Sequence, residues 1–102
     1  DRRLTPGGLA RVAAQAAEIM PDFSQLAIKE MWAGLRPRSA DSLPILGADP
    51  GIRGLFHATG HYRNGILLAP VTGRLIADLV AGELPPVDLA PFSPARFSAG
   101  TV

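Results

Sequence analysis

Apolar residues near the start of the chain recur at intervals of three and four, which is the spacing of one helix face. Thr5 is a suitable N-cap and Pro6 fits the first helical position, whereas Pro21 cannot continue a helix. These signals predict an amphipathic helix over residues 5–20. Its apolar face would consist of Leu9, Val12, Ala16, Ile19 and Met20.

The hydrophobic period changes from helical to alternating over residues 25–37. Alternation places successive side chains on opposite faces of a strand, so the pattern predicts an extended strand. Arg36 comes late on a face that begins apolar. A guanidinium there either reaches water or pairs with a carboxylate, for which Glu30 and Asp41 are the candidates.

Two shorter strands are predicted within residues 43–59. Between them, Asp49 begins a turn sequence that continues with proline and glycine. His57 is interpreted as a packed strand residue, and Asp41 and Asp49 as turn formers rather than catalytic acids.

Residues 60–82 are predicted to form a glycine-containing loop followed by a second helix. Gly60 and Gly65 lie where unusual backbone angles are expected, and Gly82 lies where a left-handed residue would end the helix. Because proline is tolerated in the first helical turn, Pro70 predicts a helix start near residues 67–69.

The amide groups of residues 65–68 are then left without intrahelical partners, at the positive end of the helix dipole. Arg63 adds a full positive charge nearby. Such an end can bind an anion or an electron-rich ring oxygen. On spacing alone, an ordinary strand-to-helix connection with a surface arginine explains the pattern equally well.

Residues 83–102 are predicted to form an extended tail, because prolines recur there beside Leu89, Phe92 and Phe97, which can pack on a surface. The whole pattern indicates an α+β fold. Antiparallel or mixed strands would be flanked by an N-terminal helix and by a C-terminal helix after the loop.

Composition limits the classes of function. A chain of 102 residues with a formal net charge of +1 allows one domain and offers no nucleic-acid footprint. The absence of cysteine excludes disulfides and thiolate metal sites and is compatible with a cytoplasmic setting. Apolar runs are shorter than the ~18 residues that a membrane span needs. We expect no metal site at His57 and His61, because a strand and loop do not bring them together.

Three motifs in the right order resemble the FAD-dependent D-amino-acid oxidase family. They are W-A-G-L-R-P at residues 32–37, D-S-L-P-I-L-G at residues 41–47 and G-H-Y-R-N-G-I-L-L-A-P at residues 60–70. The resemblance covers about residues 5–97 and is strongest to the glycine oxidases of thiazole (thiamine) biosynthesis. It implies a C-terminal segment of a two-domain flavin oxidoreductase.

The resemblance also implies roles for individual residues. Arg36 would bind the carboxylate of a small amino-acid substrate, and Arg63 would assist it. The implied contacts with the FAD isoalloxazine, mainly through backbone groups, involve His61, Tyr62, Arg63, Asn64, Gly65, Ile66 and Leu67. The implied reaction oxidises glycine or a similar amine to the imine, with reoxidation by oxygen giving hydrogen peroxide.

The sequence departs from the family by lacking the G-x-G-x-x-G pattern of a dinucleotide-binding unit. We therefore interpret the chain as part of a longer enzyme, inactive alone, whose partners include the missing N-terminal FAD-binding part. Open strand edges favour pairing into a homo-oligomer. A sarcosine-type oxidase, a D-amino-acid dehydrogenase and a stand-alone α+β interaction module remain the alternatives.

Overall fold

The computed structural model describes residues 1–98 and divides the chain into two units, Asp1–Leu35 and Arg36–Val102. The described residues contain two α-helices and one two-stranded antiparallel sheet. This confirms the predicted α+β class.

In the first unit, helix α1 spans Pro6–Ile19. The Thr5 hydroxyl accepts a hydrogen bond from the Gly8 N–H at 3.1 Å, which supplies a partner for one of the free amides of the first turn. A short 3₁₀ helix follows at Pro21–Gln25. No residue of α1 is buried. An apolar groove of about 700 Å³ lies between α1 and residues 23–31.

The predicted strand over residues 25–37 is wrong, because residues 26–37 form no strand. Alternating apolar residues define the two faces of a strand, but a strand also needs a backbone partner to complete its hydrogen bonds. Among residues 1–98 the only pairing near this segment is an isolated antiparallel bridge between Arg38 and His61.

In the second unit, strand β1 (Ile45–Ala48) pairs antiparallel with strand β2 (Phe56–Thr59), with Leu46 opposite Ala58. Asp49 shapes the connection, since its Oδ1 accepts hydrogen bonds at 2.8 Å from the N–H groups of Gly51 and Ile52. Its Oδ2 lies 2.9 Å from Nε2 of His57 on β2. Asp49 is thus a turn former, as its sequence context indicates.

Helix α2 spans Gly65–Ala81 and contacts both strands. The most buried side chains of the second unit come from α2 and β1 and are Leu46, Thr72 and Leu75. Gly82 ends the helix with a left-handed φ of 77°.

The helix starts earlier than predicted, at Gly65 rather than near residues 67–69, so Pro70 lies beyond the first four helical residues. A proline at that position removes the hydrogen bond to the carbonyl of Ile66, and its ring crowds that carbonyl. The amides without intrahelical partners end before Leu68, whose N–H donates to the Asn64 carbonyl. The prediction failed because it confined proline to the very first turn.

The tail is also more structured than the predicted extended segment over residues 83–102, whose last four residues lie outside the described part. Two short 3₁₀ helices, Ala90–Phe92 and Pro94–Phe97, pack against β1. The Asp88 carboxylate accepts from the Ala90 N–H at 3.0 Å, and the Ser93 hydroxyl accepts from the Ala95 N–H at 3.2 Å. These local side-chain bonds turn a proline-rich stretch.

The close approach of tail and sheet makes Gly47 a test of this packing. Gly47 has a φ of 137°, and a Cβ there would lie 3.4 Å from Cδ of Pro94. We expect Gly47→Ala to lower the free energy of unfolding by roughly 1–3 kcal/mol. Chemical denaturation of the complete protein that contains this chain measures the change.

Gly73→Ala is the matched control, because Gly73 lies in α2 with nothing within 4 Å of its Cβ position. This variant should raise the free energy of unfolding by up to about 1 kcal/mol. Equal stability of Gly47→Ala and wild type would contradict the packing described here.

Candidate functional site

The loop between β2 and α2 is anchored on the segment that precedes β1. Gly60, which is buried and has a φ of 76°, turns the chain out of β2. The Tyr62 N–H then donates to the Pro37 carbonyl at 3.0 Å, beside the antiparallel bridge of Arg38 and His61. The backbone therefore fixes where the side chains after Gly60 emerge.

His61 ties the same loop to α2. Its Nε2 lies 3.0 Å from the hydroxyl of Thr72, whose exposed fraction is 9%. Because a buried polar group needs a partner, this hydrogen bond makes the loop and the helix interdependent.

Tyr62 has a φ of 52°, which is uncommon for a residue with a side chain. Two guanidinium groups lie over its ring, with Cζ of Arg38 at 5.6 Å and Cζ of Arg63 at 5.2 Å from the centroid. Cation–π attraction at these distances holds both guanidinium groups against the Tyr62 ring.

The N-terminus of α2 has unpartnered amides. Asn64 is the N-cap but its side chain makes no capping hydrogen bond, and Leu68 supplies the first N–H bonded to the Asn64 carbonyl, at 2.9 Å. Within residues 1–98, no side chain caps the amides of residues 65–67. The apolar side chains of Ile66 and Leu67 are 90% and 78% exposed. The site thus offers N–H donors, the positive end of a dipole and an apolar surface together.

The segment that carries Arg36 is held against the loop that carries Arg63. The Arg38–His61 bridge and the hydrogen bond from the Tyr62 N–H to the Pro37 carbonyl join residues 37–38 to residues 61–62, and the loop turns away after His61. Within the described part of the second unit, neither guanidinium forms an ion pair or a hydrogen bond. Both are exposed, so each is accessible to an anionic ligand.

Asp41, one of the two candidate carboxylate partners of Arg36, does not pair with it. Asp41 is engaged by Arg96 from the tail, through Nε at 2.7 Å and Nη2 at 3.0 Å. These bonds lower the pKa of Asp41 well below its usual range. The sequence analysis missed Arg96, and no local pattern points to it, because the two partners lie in distant parts of the chain.

His57 and His61 do not form a joint site. His57 pairs with Asp49, and this hydrogen bond, followed by the one from the Gly51 amide, lowers the pKa of Asp49. His61 bonds Thr72 instead. Residues 1–98 contain no cluster of three histidine, aspartate or glutamate side chains that could hold a metal ion. No helix in that part of the chain is long and apolar enough to cross a membrane.

Comparison with known families places these features in context. The sequence profile named DAO, "FAD dependent oxidoreductase", matches residues 1–79. The chain belongs to the FAD-dependent oxidoreductase family. The candidate site described above, with Arg36 and Arg63, therefore belongs to a segment of a flavoenzyme family.

Curated members of this family include glycine oxidases. The chain is 51% identical to glycine oxidase of Geobacillus kaustophilus over 94% of its own length and 26% of the relative. It is 44% identical to glycine oxidase of Pseudomonas aeruginosa, over 93% of this chain and 26% of that protein. It is 41% identical to the bifunctional protein ThiO/ThiG of Synechocystis, over 95% of this chain and 15% of that protein. The chain spans about a quarter or less of the length of these relatives.

Solved structures of family members share the fold. The crystal structure of the Geobacillus kaustophilus glycine oxidase matches with a TM-score of 0.75, covering 94% of this chain and 26% of that one. The iminodiacetate oxidase of Chelativorans matches with a TM-score of 0.74 at 34% identity, covering 90% of this chain and 25% of that one. This FAD-dependent oxidoreductase segment thus adopts the arrangement found in part of larger oxidases.

The ion pair between Asp41 and Arg96 predicts a pH dependence of stability. Arg96 stabilises the ionised carboxylate, so the folded state binds a proton less readily than the unfolded state, whose aspartate pKa is about 3.9. The contribution should be fully present above that pKa and be lost as the pH falls towards the lower folded value. Denaturation of wild type and Asp41→Asn in the complete protein should give a stability gap that closes on acidification.

Glu83→Gln is the control for this measurement, since Glu83 is exposed and forms no ion pair among residues 1–98. Its difference from wild type should change far less with pH. A gap for Asp41→Asn that stays constant between neutral pH and about pH 3 would contradict the role of the ion pair.

Proposed function

We propose that the chain is the C-terminal segment of an FAD-dependent oxidase acting on glycine or another small amino acid. The oxidase would convert the amine to the imine and reduce oxygen to hydrogen peroxide. The observation that carries the proposal is the set of uncapped amides at residues 65–67 beside Arg63, in a loop that the Tyr62–Pro37 hydrogen bond joins to the segment following Arg36. The names of the glycine oxidase relatives support the substrate class.

The residues at the start of α2 fit a flavin chemically. Unpartnered N–H groups at a helix N-terminus favour a ligand edge rich in electrons, and the exposed Ile66 and Leu67 offer apolar surface to a ring. We infer contacts with FAD from His61, Tyr62, Arg63, Asn64, Gly65, Ile66 and Leu67. When bound, FAD supplies the acceptor for the hydride that leaves the substrate.

The two arginines fit the substrate carboxylate. A guanidinium is planar and holds a carboxylate through two parallel hydrogen bonds, so it fixes orientation as well as charge. We assign Arg36 as the main carboxylate ligand and Arg63 as its assistant. Their contribution is to place the α-carbon for oxidation, because positioning lowers the barrier without an added acid or base.

The proposal extends to the setting of the enzyme. An N-terminal dinucleotide-binding part would hold the pyrophosphate of FAD, which no segment of this chain is built to cradle. We further propose a cytoplasmic enzyme that serves thiazole formation in thiamine biosynthesis. The similarity to the ThiO/ThiG protein supports this assignment.

A related reaction on a secondary amine is the second candidate function. The structural likeness to an iminodiacetate oxidase favours it, because the name of that enzyme's substrate denotes a secondary amine. A sarcosine-type oxidase or a D-amino-acid dehydrogenase belongs to the same class. A stand-alone interaction module is the remaining alternative from another class.

Two observations separate these candidates. A strand–turn–helix sequence with G-x-G-x-x-G, read upstream in the same frame, would support an oxidoreductase and exclude the stand-alone module. Peroxide release by the complete protein with glycine, sarcosine, D-alanine and iminodiacetate would then identify the preferred amine. Oxidation of these amines with a dye acceptor but without peroxide would indicate a dehydrogenase.

Replacement of Arg36 tests the carboxylate site. In the complete protein, Arg36→Ala should raise KM for the preferred amine at least about tenfold, because the anion loses its bidentate partner. FAD should stay bound, as judged by the flavin absorbance of the purified protein. Steady-state peroxide assays measure KM.

Arg53→Ala is the matched control, because Arg53 is an exposed arginine in the turn between β1 and β2 and has no ion-pair partner among residues 1–98. Its KM should equal that of wild type. An unchanged KM for Arg36→Ala would remove Arg36 from the site.

A further inference from the structure

All three nitrogens of the Arg96 guanidinium donate hydrogen bonds within the second unit. Nε and Nη2 hold the Asp41 carboxylate, and Nη2 also donates to the Leu43 carbonyl at 3.1 Å. Nη1 donates to the carbonyls of Phe92 at 2.7 Å and Ser93 at 3.0 Å. The side chain is only 16% exposed. A bidentate and largely buried arginine therefore joins the tail to residues 39–43, which we call the Asp41 turn.

The Asp41 turn is held in a strained conformation. Ser42 has a φ of 64°, in the left-handed region that disfavours residues with a side chain. Asp41 Oδ1 accepts further hydrogen bonds from the Ser39 hydroxyl at 3.0 Å and the Leu43 N–H at 3.1 Å. Strained backbone persists only where the surroundings over-determine it. Arg96 provides such a constraint from outside the turn, through its hydrogen bonds to Asp41 and to the Leu43 carbonyl.

The Asp41 turn is connected directly to the proposed carboxylate site. The Ser42 hydroxyl accepts a hydrogen bond at 3.0 Å from Nε of Arg38. Arg38 in turn pairs with His61 and lies over the Tyr62 ring. Relaxation of the turn therefore displaces the nearby chain at Arg36, whereas the loop after β2 keeps its own hydrogen bond from His61 to Thr72.

We infer that Arg96 is a positioning residue that sets the placement of Arg36 through the Asp41 turn. The inference rests on the proposed function, in which Arg36 binds the substrate carboxylate. Arg96 itself touches neither substrate nor cofactor in this arrangement. Its effect should thus appear in substrate binding rather than in flavin binding.

Arg96→Ala in the complete protein is the test. KM for the preferred amine should rise about fivefold or more, while kcat changes less than about twofold and FAD remains bound. Added guanidinium ion, which can occupy the emptied space between Asp41 and the tail carbonyls, should bring KM back towards the wild-type value.

Arg74→Ala is the control, because Arg74 also pairs with an aspartate, Asp78 at 3.1 Å, but on α2. Its KM should not change.

A second variant separates positioning from general destabilisation. Glycine adopts a left-handed φ freely, so Ser42→Gly removes the strain that Arg96 opposes. Combined with Arg96→Ala, it should recover most of the lost substrate affinity. A lower KM in the double variant than in Arg96→Ala supports positioning, and no recovery by either Ser42→Gly or guanidinium overturns it.

Amide hydrogen exchange gives a readout that does not depend on activity. Arg96→Ala should lose protection in peptides covering residues 36–43 and retain it in α2. Unchanged protection there, or an unchanged KM in an active enzyme, overturns the inference. A protein that oxidises none of the tested amines overturns the proposed function alone, and hydrogen exchange still decides whether Arg96 holds the segment of Arg36.

Discussion

The contact between residues 37–38 and residues 61–62 is the constraint on which the candidate site depends. One backbone hydrogen bond, from Tyr62 to Pro37, and one antiparallel bridge join segments that are distant in the chain. Without that contact, Arg36 would belong to an irregular segment with no fixed relation to the loop after β2. With it, the segment that follows Arg36 is held against the loop that carries Arg63.

The polar side chains around this contact have hydrogen-bonding partners, whereas the polar groups of the candidate site do not. Asp41, Asp49, His57 and His61 all have partners within the second unit. The amides at the start of α2 and the guanidinium groups of Arg36 and Arg63 have no hydrogen-bonding partner among the described residues. Both arginines are exposed, so the contrast marks the polar groups that are open to a ligand.

Large apolar side chains are exposed throughout both units. Ile66 is 90% exposed, Trp32 76% and Leu84 94%. In the described part of the chain, the only buried hydrophobic side chains are those of Leu46 and Leu75. Apolar exposure on this scale is typical of surfaces that other protein covers. It agrees with the proposal that the chain works as one part of a larger oxidase, and with the quarter of the relatives' length that it spans.

Local sequence is enough to predict both helices and the family. Thr5 and Gly82 set helix ends through their own side-chain and backbone chemistry, and the motifs around Arg36 and Arg63 indicate the family. Which segments meet is visible only in the folded chain. Residues 26–37 alternate like a strand yet form none, because pairing depends on a partner that periodicity does not reveal. Arg96 reaches Asp41 from the other end of the unit, because a long-range ion pair follows from how the chain folds back and leaves no trace in local spacing.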